Sequence, residues 1–138
     1  MSNSALQSNV RDRAYWAGWV LSGLAIAFLI MDSTMKLLAL PVVLDASGPL
    51  GFAGAGMARG LGIVLLACTL LYVAPQTAVL GAILLTGYLG GAVATHVRVG
   101  SPLFTHVLFG VYLGIFVWGG LYLRDSRLRA LIPRSKAS

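Results

Sequence analysis

Four apolar runs constrain this chain more than any other feature: residues 15–31, 52–72, 77–95 and 103–123. A hydrocarbon core about 30 Å thick takes about 20 apolar helical residues, and each run is near that length. Inside a bilayer every backbone group needs a partner, which only helices and closed barrels supply. Long apolar runs without alternation fit helices. Composition agrees, with 58% of the 138 residues hydrophobic and 10% charged, against about 25% charged in soluble domains. A soluble enzyme, a disordered chain, a collagen-like repeat and a disulfide scaffold are excluded. The expected fold is an all-α membrane protein, a four-transmembrane-helix bundle formed by residues 15–123. A polar N-terminal tail (1–14) and a basic tail (124–138) flank it.

The run from Tyr15 to Met31 exceeds a signal-peptide core. Asp32-Ser33-Thr34 after it is no small-x-small cleavage site, so the run reads as a retained first helix that continues to Lys36. Arg59 interrupts the second run. A span beginning after Arg59 would have about 14 residues, too few to cross, so Arg59 falls inside the helix. Pro75 forces a tight connection, and Gly100 and Pro102 break the third helix from the fourth. In the loop 32–51, Met35 to Pro41 is apolar enough for a short helix lying in the interface.

Ten Lys and Arg stand against four Asp, and glutamate is absent. The basic residues flank the apolar runs, so they read as positive residues retained in the cytoplasm, and no nucleic-acid partner is expected. Arg11 and Arg13 precede the first run; Arg124, Arg127, Arg129, Arg134 and Lys136 follow the last. Both termini are therefore expected in the cytoplasm, as an even number of spans requires. Tyr15, Trp16, Trp19, Tyr72, Trp118 and Tyr122 fall at the same ends and are expected to form an interfacial belt. Gly56/Gly60, Gly87/Gly91 and Gly110/Gly114 pair small residues one turn apart, as close helix packing requires. The lone Cys68 excludes dithiol chemistry within the chain and reads as a small buried or lipid-facing residue.

Under this topology Asp32, Lys36, Arg59, His96, Arg98 and His106 share the outer half of the bundle. A charge deep in lipid costs about 2.5–3.5 kcal/mol, so Arg59 is expected to face the bundle and meet an anion or carbonyl groups. A structural reading has Asp32 neutralise Arg59 or Lys36 while His96 and Arg98 cap the turn. There His106 bonds a loop carbonyl. A functional reading gathers these residues into an outward-facing polar pocket for a quinone or lipid-like head group. One of the histidines would then move protons and Arg59 would stabilise an oxyanion. Asp32 with His96 and His106 as metal ligands matches no metal motif, and haem held between the two histidines is a further alternative.

Four stretches resemble the DoxX-like family. They are Met31-Asp32-Ser33-Thr34-Met35-Lys36, Arg59-Gly60-Leu61-Gly62, the third-helix string Thr86 to Arg98, and Pro102-Leu103-Phe104-Thr105-His106. The resemblance covers roughly residues 15 to 123. It implies a small bacterial inner-membrane four-helix bundle. Some relatives are associated with thiosulfate:quinone oxidoreductase or with membrane oxidoreductase complexes that handle thiol stress. A thiol relay does not fit a lone Cys68, so quinone, haem or a partner subunit would have to carry electrons. The resulting expectation is a membrane subunit binding a quinone or similar amphipathic molecule. Its alternative is a non-catalytic scaffold that contacts lipid, a protein partner or further copies of itself. A transporter would need to oligomerise to form a path.

Overall fold

The computed structural model describes residues 3–132; Arg134 and Lys136 lie outside them. All regular structure among the described residues is helical: α1 (Asn3–Leu37), α2 (Pro41–Ser47), α3 (Ala55–Val73), α4 (Ala78–Arg98), α5 (Phe109–Arg124) and α6 (Ser126–Leu131). A 3-10 turn, Gly48–Leu50, follows α2, and a π-helical turn, Leu103–Val107, leads into α5. Four helices are long and apolar enough to cross a membrane: α1, α3, α4, and α5 with its π turn. Only 22–33% of each apolar stretch is buried inside the bundle. The remaining apolar faces, such as Val20, Leu24, Ile63 and Ile115, are exposed and need lipid around them. The chain is a multi-pass membrane protein.

The four long helices run alternately up and down. α1 and α4 sit diagonally, each packed against α3 and α5. The core is built from Ala25, Leu29, Leu65, Leu85, Leu89, Val117 and Leu121. These recur at the 3- and 4-residue steps of a helix face. Both described ends of the chain lie at the same end of the bundle, where Arg124 covers the ring of Trp19 at 4.4 Å.

That end is closed by one polar network. Tyr72 Oη donates to the Val117 carbonyl at 2.7 Å. Its single proton is thereby used, so at 2.9 Å it accepts from Ser22 Oγ. Ser22 Oγ in turn accepts from Arg124 Nε at 3.0 Å. Tyr72 is fully buried, in contrast to its expected place in the interfacial belt. Its ring lies on the core stripe of α3 with Ala58, Gly62, Leu65 and Thr69, and the network satisfies its hydroxyl. Tyr15 and Trp16 are exposed as a belt requires. Past this end, Asp125 caps α6 by accepting from Arg127 N at 2.9 Å. Burial pushes the Asp125 carboxyl up, but the Arg127 side-chain and backbone hydrogen bonds and charge outweigh it and hold it below its ordinary value.

Three boundaries differ from the sequence expectation. α1 starts at Asn3, so residues 3–14 are helix and not a loose tail. α3 starts at Ala55, not Phe52: Gly54, at φ +95°, stops the helix from extending backward. The short helix lies at 41–47 and not 35–41. The Asp32–Lys36 pair carries α1 on to Leu37. Ala39 then turns the chain at φ +49°, and Pro41 begins α2 where a missing N–H is harmless.

The glycines that bring helices together also differ. A Cβ on Gly18 would lie 2.8 Å from the Gly120 carbonyl oxygen, and one on Gly120 would strike Ser22 of α1. One on Gly81 would collide with the Tyr72 backbone, and one on Gly62 would lie 3.0 Å from Leu37 N. Of the expected set only Gly110 is a close approach, against Val93 and the Leu89 carbonyl. Gly56, Gly60, Gly87, Gly91 and Gly114 have open space beside them. One-turn spacing identifies a small face but not its direction; Gly62 and Gly81 lie on the buried stripes of their helices.

Candidate functional site

The opposite end of the bundle is hollow. A cavity of about 940 Å³ lies between the outer halves of α1, α3, α4 and α5. Val42, Val43, Pro49, Leu50 and Phe52 roof it, while Leu29, Leu65, Leu89 and Leu113 form its floor. Small residues make the room: Gly87, Gly91 and Ala92 line the α4 wall, where a Cβ on either glycine meets nothing within 4 Å.

The polar groups enter this apolar shell at two places. At the end of α1, Lys36 Nζ donates to Asp32 Oδ1, and both side chains line the cavity. They are largely buried, at 16% and 29% side-chain exposure, so the two charges neutralise each other where isolated ones would be costly. The four-residue spacing puts them on one face, and Lys36 also suits the negative end of the helix dipole.

At the α4–α5 connection, the His96 and His106 rings meet edge to face at 5.7 Å between centroids. His96 Nδ1 pairs with Ser101 Oγ at 3.0 Å, and His106 Nδ1 with Thr105 Oγ1 at 2.8 Å. Hydroxyls thus orient both rings through Nδ1 and leave Nε2 of each for other chemistry. The π turn produces this: Val107 N and Leu108 N bond five residues back, to Pro102 and Leu103. That extra residue turns His106 toward the helix α4 side, and single π turns recur at functional sites.

Four of the six expected residues therefore line one cavity: Asp32, Lys36, His96 and His106. Arg59 and Arg98 do not. Arg59 is exposed, and its Nε donates to the Leu37 carbonyl at 3.3 Å. The helix begins only at Ala55, so Arg59 sits near its end, where a long side chain reaches out of the apolar layer. It meets a carbonyl but neither faces the bundle nor pairs with Asp32. Arg98 is exposed beside Gly51. The polar site is thus smaller than expected, with four of the six residues. Asp32 does not join the histidines as a third ligand; among the described residues no three His, Cys, Asp or Glu side chains group for a metal. Sequence reasoning missed Tyr88 and Ser101, both in the cavity lining. Tyr88, Ala92 and His96 recur every four residues on α4, a spacing that would have placed the tyrosine on the histidine's face.

This arrangement can admit an amphipathic molecule, hold its apolar part against leucine and glycine walls, and offer hydrogen bonds at both poles. Comparison with curated proteins and with solved structures gave no match. The sequence model of the DoxX-like family matches residues 20–120. That stretch takes in every cavity-lining helix of the bundle, and the chain belongs to the DoxX-like family.

Proposed function

We propose that the protein is a membrane subunit of an oxidoreductase system and binds a quinone, or a similar ring carrying carbonyl groups and an apolar tail. The observation that carries this reading is the paired histidines set into the lining of an otherwise mainly apolar cavity. Pockets for small amphipathic molecules are mostly apolar with a few convergent polar groups. The donor set fits a quinone: imidazole and phenol N–H and O–H groups suit carbonyl oxygens, and the apolar walls suit the tail. A bound quinone supplies reversible two-electron, two-proton chemistry. The chain's part is to orient the ring through His96, His106 and Tyr88, to hold a proton on an imidazole, and to keep Asp32 and Lys36 mutually neutral. Arg59 has no role in this site.

The clustering of basic residues at the end holding both chain ends supports a cytoplasmic location for that end. The cavity then opens away from the cytoplasm. With the family relationship, this supports a bacterial inner membrane.

The test is organic extraction of protein purified in mild detergent, a visible spectrum of the same sample, and titration with decylubiquinone followed by thermal unfolding. Stoichiometric quinone, or a saturable rise in unfolding temperature, is expected. Ala92→Phe should abolish the rise with little change in the unfolding temperature of the free protein, because Ala92 lines the cavity on the α4 face that carries Tyr88 and His96. A colourless protein that carries only lipid and ignores decylubiquinone would overturn the proposal. A non-catalytic scaffold is the second reading, favoured by the open space beside Gly56, Gly60 and Gly114. Such faces suit a further helix from a partner or another copy.

A further inference from the structure

The closed end of the bundle carries a second feature, independent of the cavity reading. The buried stripe of α1, Gly18, Ser22, Ala25, Leu29 and Ser33, continues toward the N-terminus in the same 3- and 4-residue steps as Ala14, Val10, Gln7 and Asn3. Throughout the bundle that stripe packs on a neighbouring helix. α5 ends at Arg124, however, and the chain turns into the short α6. The outer part of the α1 face is left beside a groove of about 790 Å³ between α1 and the α5–α6 end.

The groove runs from the end of the fourth span, at Tyr122 and Leu123, outward along α1. Taking Trp16 as the edge of the hydrocarbon, Val10 stands six residues, about 9 Å, and Leu6 ten residues, about 15 Å, farther out. The head-group layer is about 5–8 Å deep on each side. Leu6 and Val10 are nevertheless 67% and 66% exposed, and Ile132 across the groove is 53% exposed. On that scale Val10 stands at the margin of the head-group layer and Leu6 farther out, yet both line the groove along α1.

The charges select an occupant. Among the described residues the groove lining includes two guanidinium groups and no carboxylate: Arg11 from α1 and Arg129 from α6. Arg129 is fixed, because its Nη1 donates to the Tyr122 and Leu123 carbonyls at 3.2 and 2.5 Å. Arg11 makes no ion pair among the described residues. A second copy of this strongly basic end would be repelled. We propose that the groove receives an amphipathic helix of a partner protein, with apolar residues one turn apart and flanking carboxylates. The helix would continue the packing seam of the bundle and place its carboxylates on Arg11 and Arg129. Laying the apolar face of a helix into such a groove is a common recognition mode, and Arg suits carboxylate through paired N–H donors.

The experiment uses the full chain in detergent and a fluorescent helical peptide with Leu at i, i+3, i+4 and i+7 and Glu on both flanks. Its controls are the same peptide with Lys for Glu and one with the leucines scrambled. Saturable binding of the acidic peptide alone is expected. Arg11→Glu should weaken it at least tenfold, as should Val10→Ser. Arg13→Glu, on the same helix outside the groove lining, should change it less than threefold. All three variants alter exposed residues, so folding is not at stake, and the thermal unfolding of each checks this. Equal binding of acidic and basic peptides, equal loss in Arg13→Glu, or no binding would overturn the proposal. So would a large gain in affinity on deleting residues 133–138, which would make the chain's own end the occupant.

Discussion

The two ends of the bundle solve the same problem in opposite ways. At the end holding both chain ends, helices touch backbone to backbone through Gly18, Gly81 and Gly120. Every polar atom of Ser22, Tyr72 and Arg124 named in the network has a partner inside it. At the other end α1 and α3 still approach at Gly62, and α4 and α5 at Gly110, but a cavity opens among the four helices, and its polar groups are paired locally, Asp32 with Lys36 and each histidine with a nearby hydroxyl. A fully satisfied buried network confers rigidity. Locally satisfied groups around an opening keep donors for a ligand. Under the proposed function, the first end supplies stability and the second end binding.

The comparison breaks most sharply at small residues. Gly81→Val drives a side chain into the Tyr72 backbone, which cannot yield, and overpacking of this kind costs about 3 kcal/mol or more. Its thermal unfolding midpoint should collapse, or the protein should fail to accumulate. Ala92→Phe at the hollow end, on the α4 face of Tyr88 and His96, should leave the midpoint in place and remove decylubiquinone binding. Equal destabilisation by both substitutions would erase the division between the ends.

Tyr72→Phe ranks next. It strands the Val117 carbonyl and the Ser22 hydroxyl in the core, a loss of about 1–3 kcal/mol, with ligand binding unchanged in protein that remains folded. Asp32→Asn is the matching change at the cavity. It leaves Lys36 without its neutralising charge and should weaken ligand binding more than stability. The reverse order, stability lost and binding kept, would make the ion pair structural.

Asp125→Ala removes the α6 cap and should lower stability by about 1 kcal/mol. The folded carboxyl is held below its ordinary value, so its contribution is complete above the normal carboxylate range, about 3.9. It fades as pH falls through the lower folded value. The wild-type advantage over Asp125→Ala, followed by thermal unfolding, should therefore persist at pH 5–7 and shrink only in stronger acid. The smallest effect belongs to Arg59→Gln. An exposed donor to one carbonyl should change decylubiquinone affinity less than twofold, and a tenfold loss would return Arg59 to the site.

Sequence by itself determined the four spans, the family and the placement of Asp32, Lys36, Arg59, His96, Arg98 and His106 toward one end of the bundle; only the structure separated the four that line the cavity from Arg59 and Arg98. Those follow from run length, from strings of neighbouring residues and from the up-and-down order of spans that bilayer thickness imposes. What it missed depends on helix rotation. Glycine pairs at 56/60 and 87/91 look like packing faces, but α3 and α4 turn Gly62 and Gly81 inward instead. Tyr72 looks like belt and Arg59 like core, and each is the reverse. In a soluble helix a polar face would reveal the rotation. In these helices lipid-facing and core-facing residues are equally apolar, so only tertiary packing decides which stripe turns inward. Packing likewise decided that the closed end is filled to backbone contact while the other is left hollow.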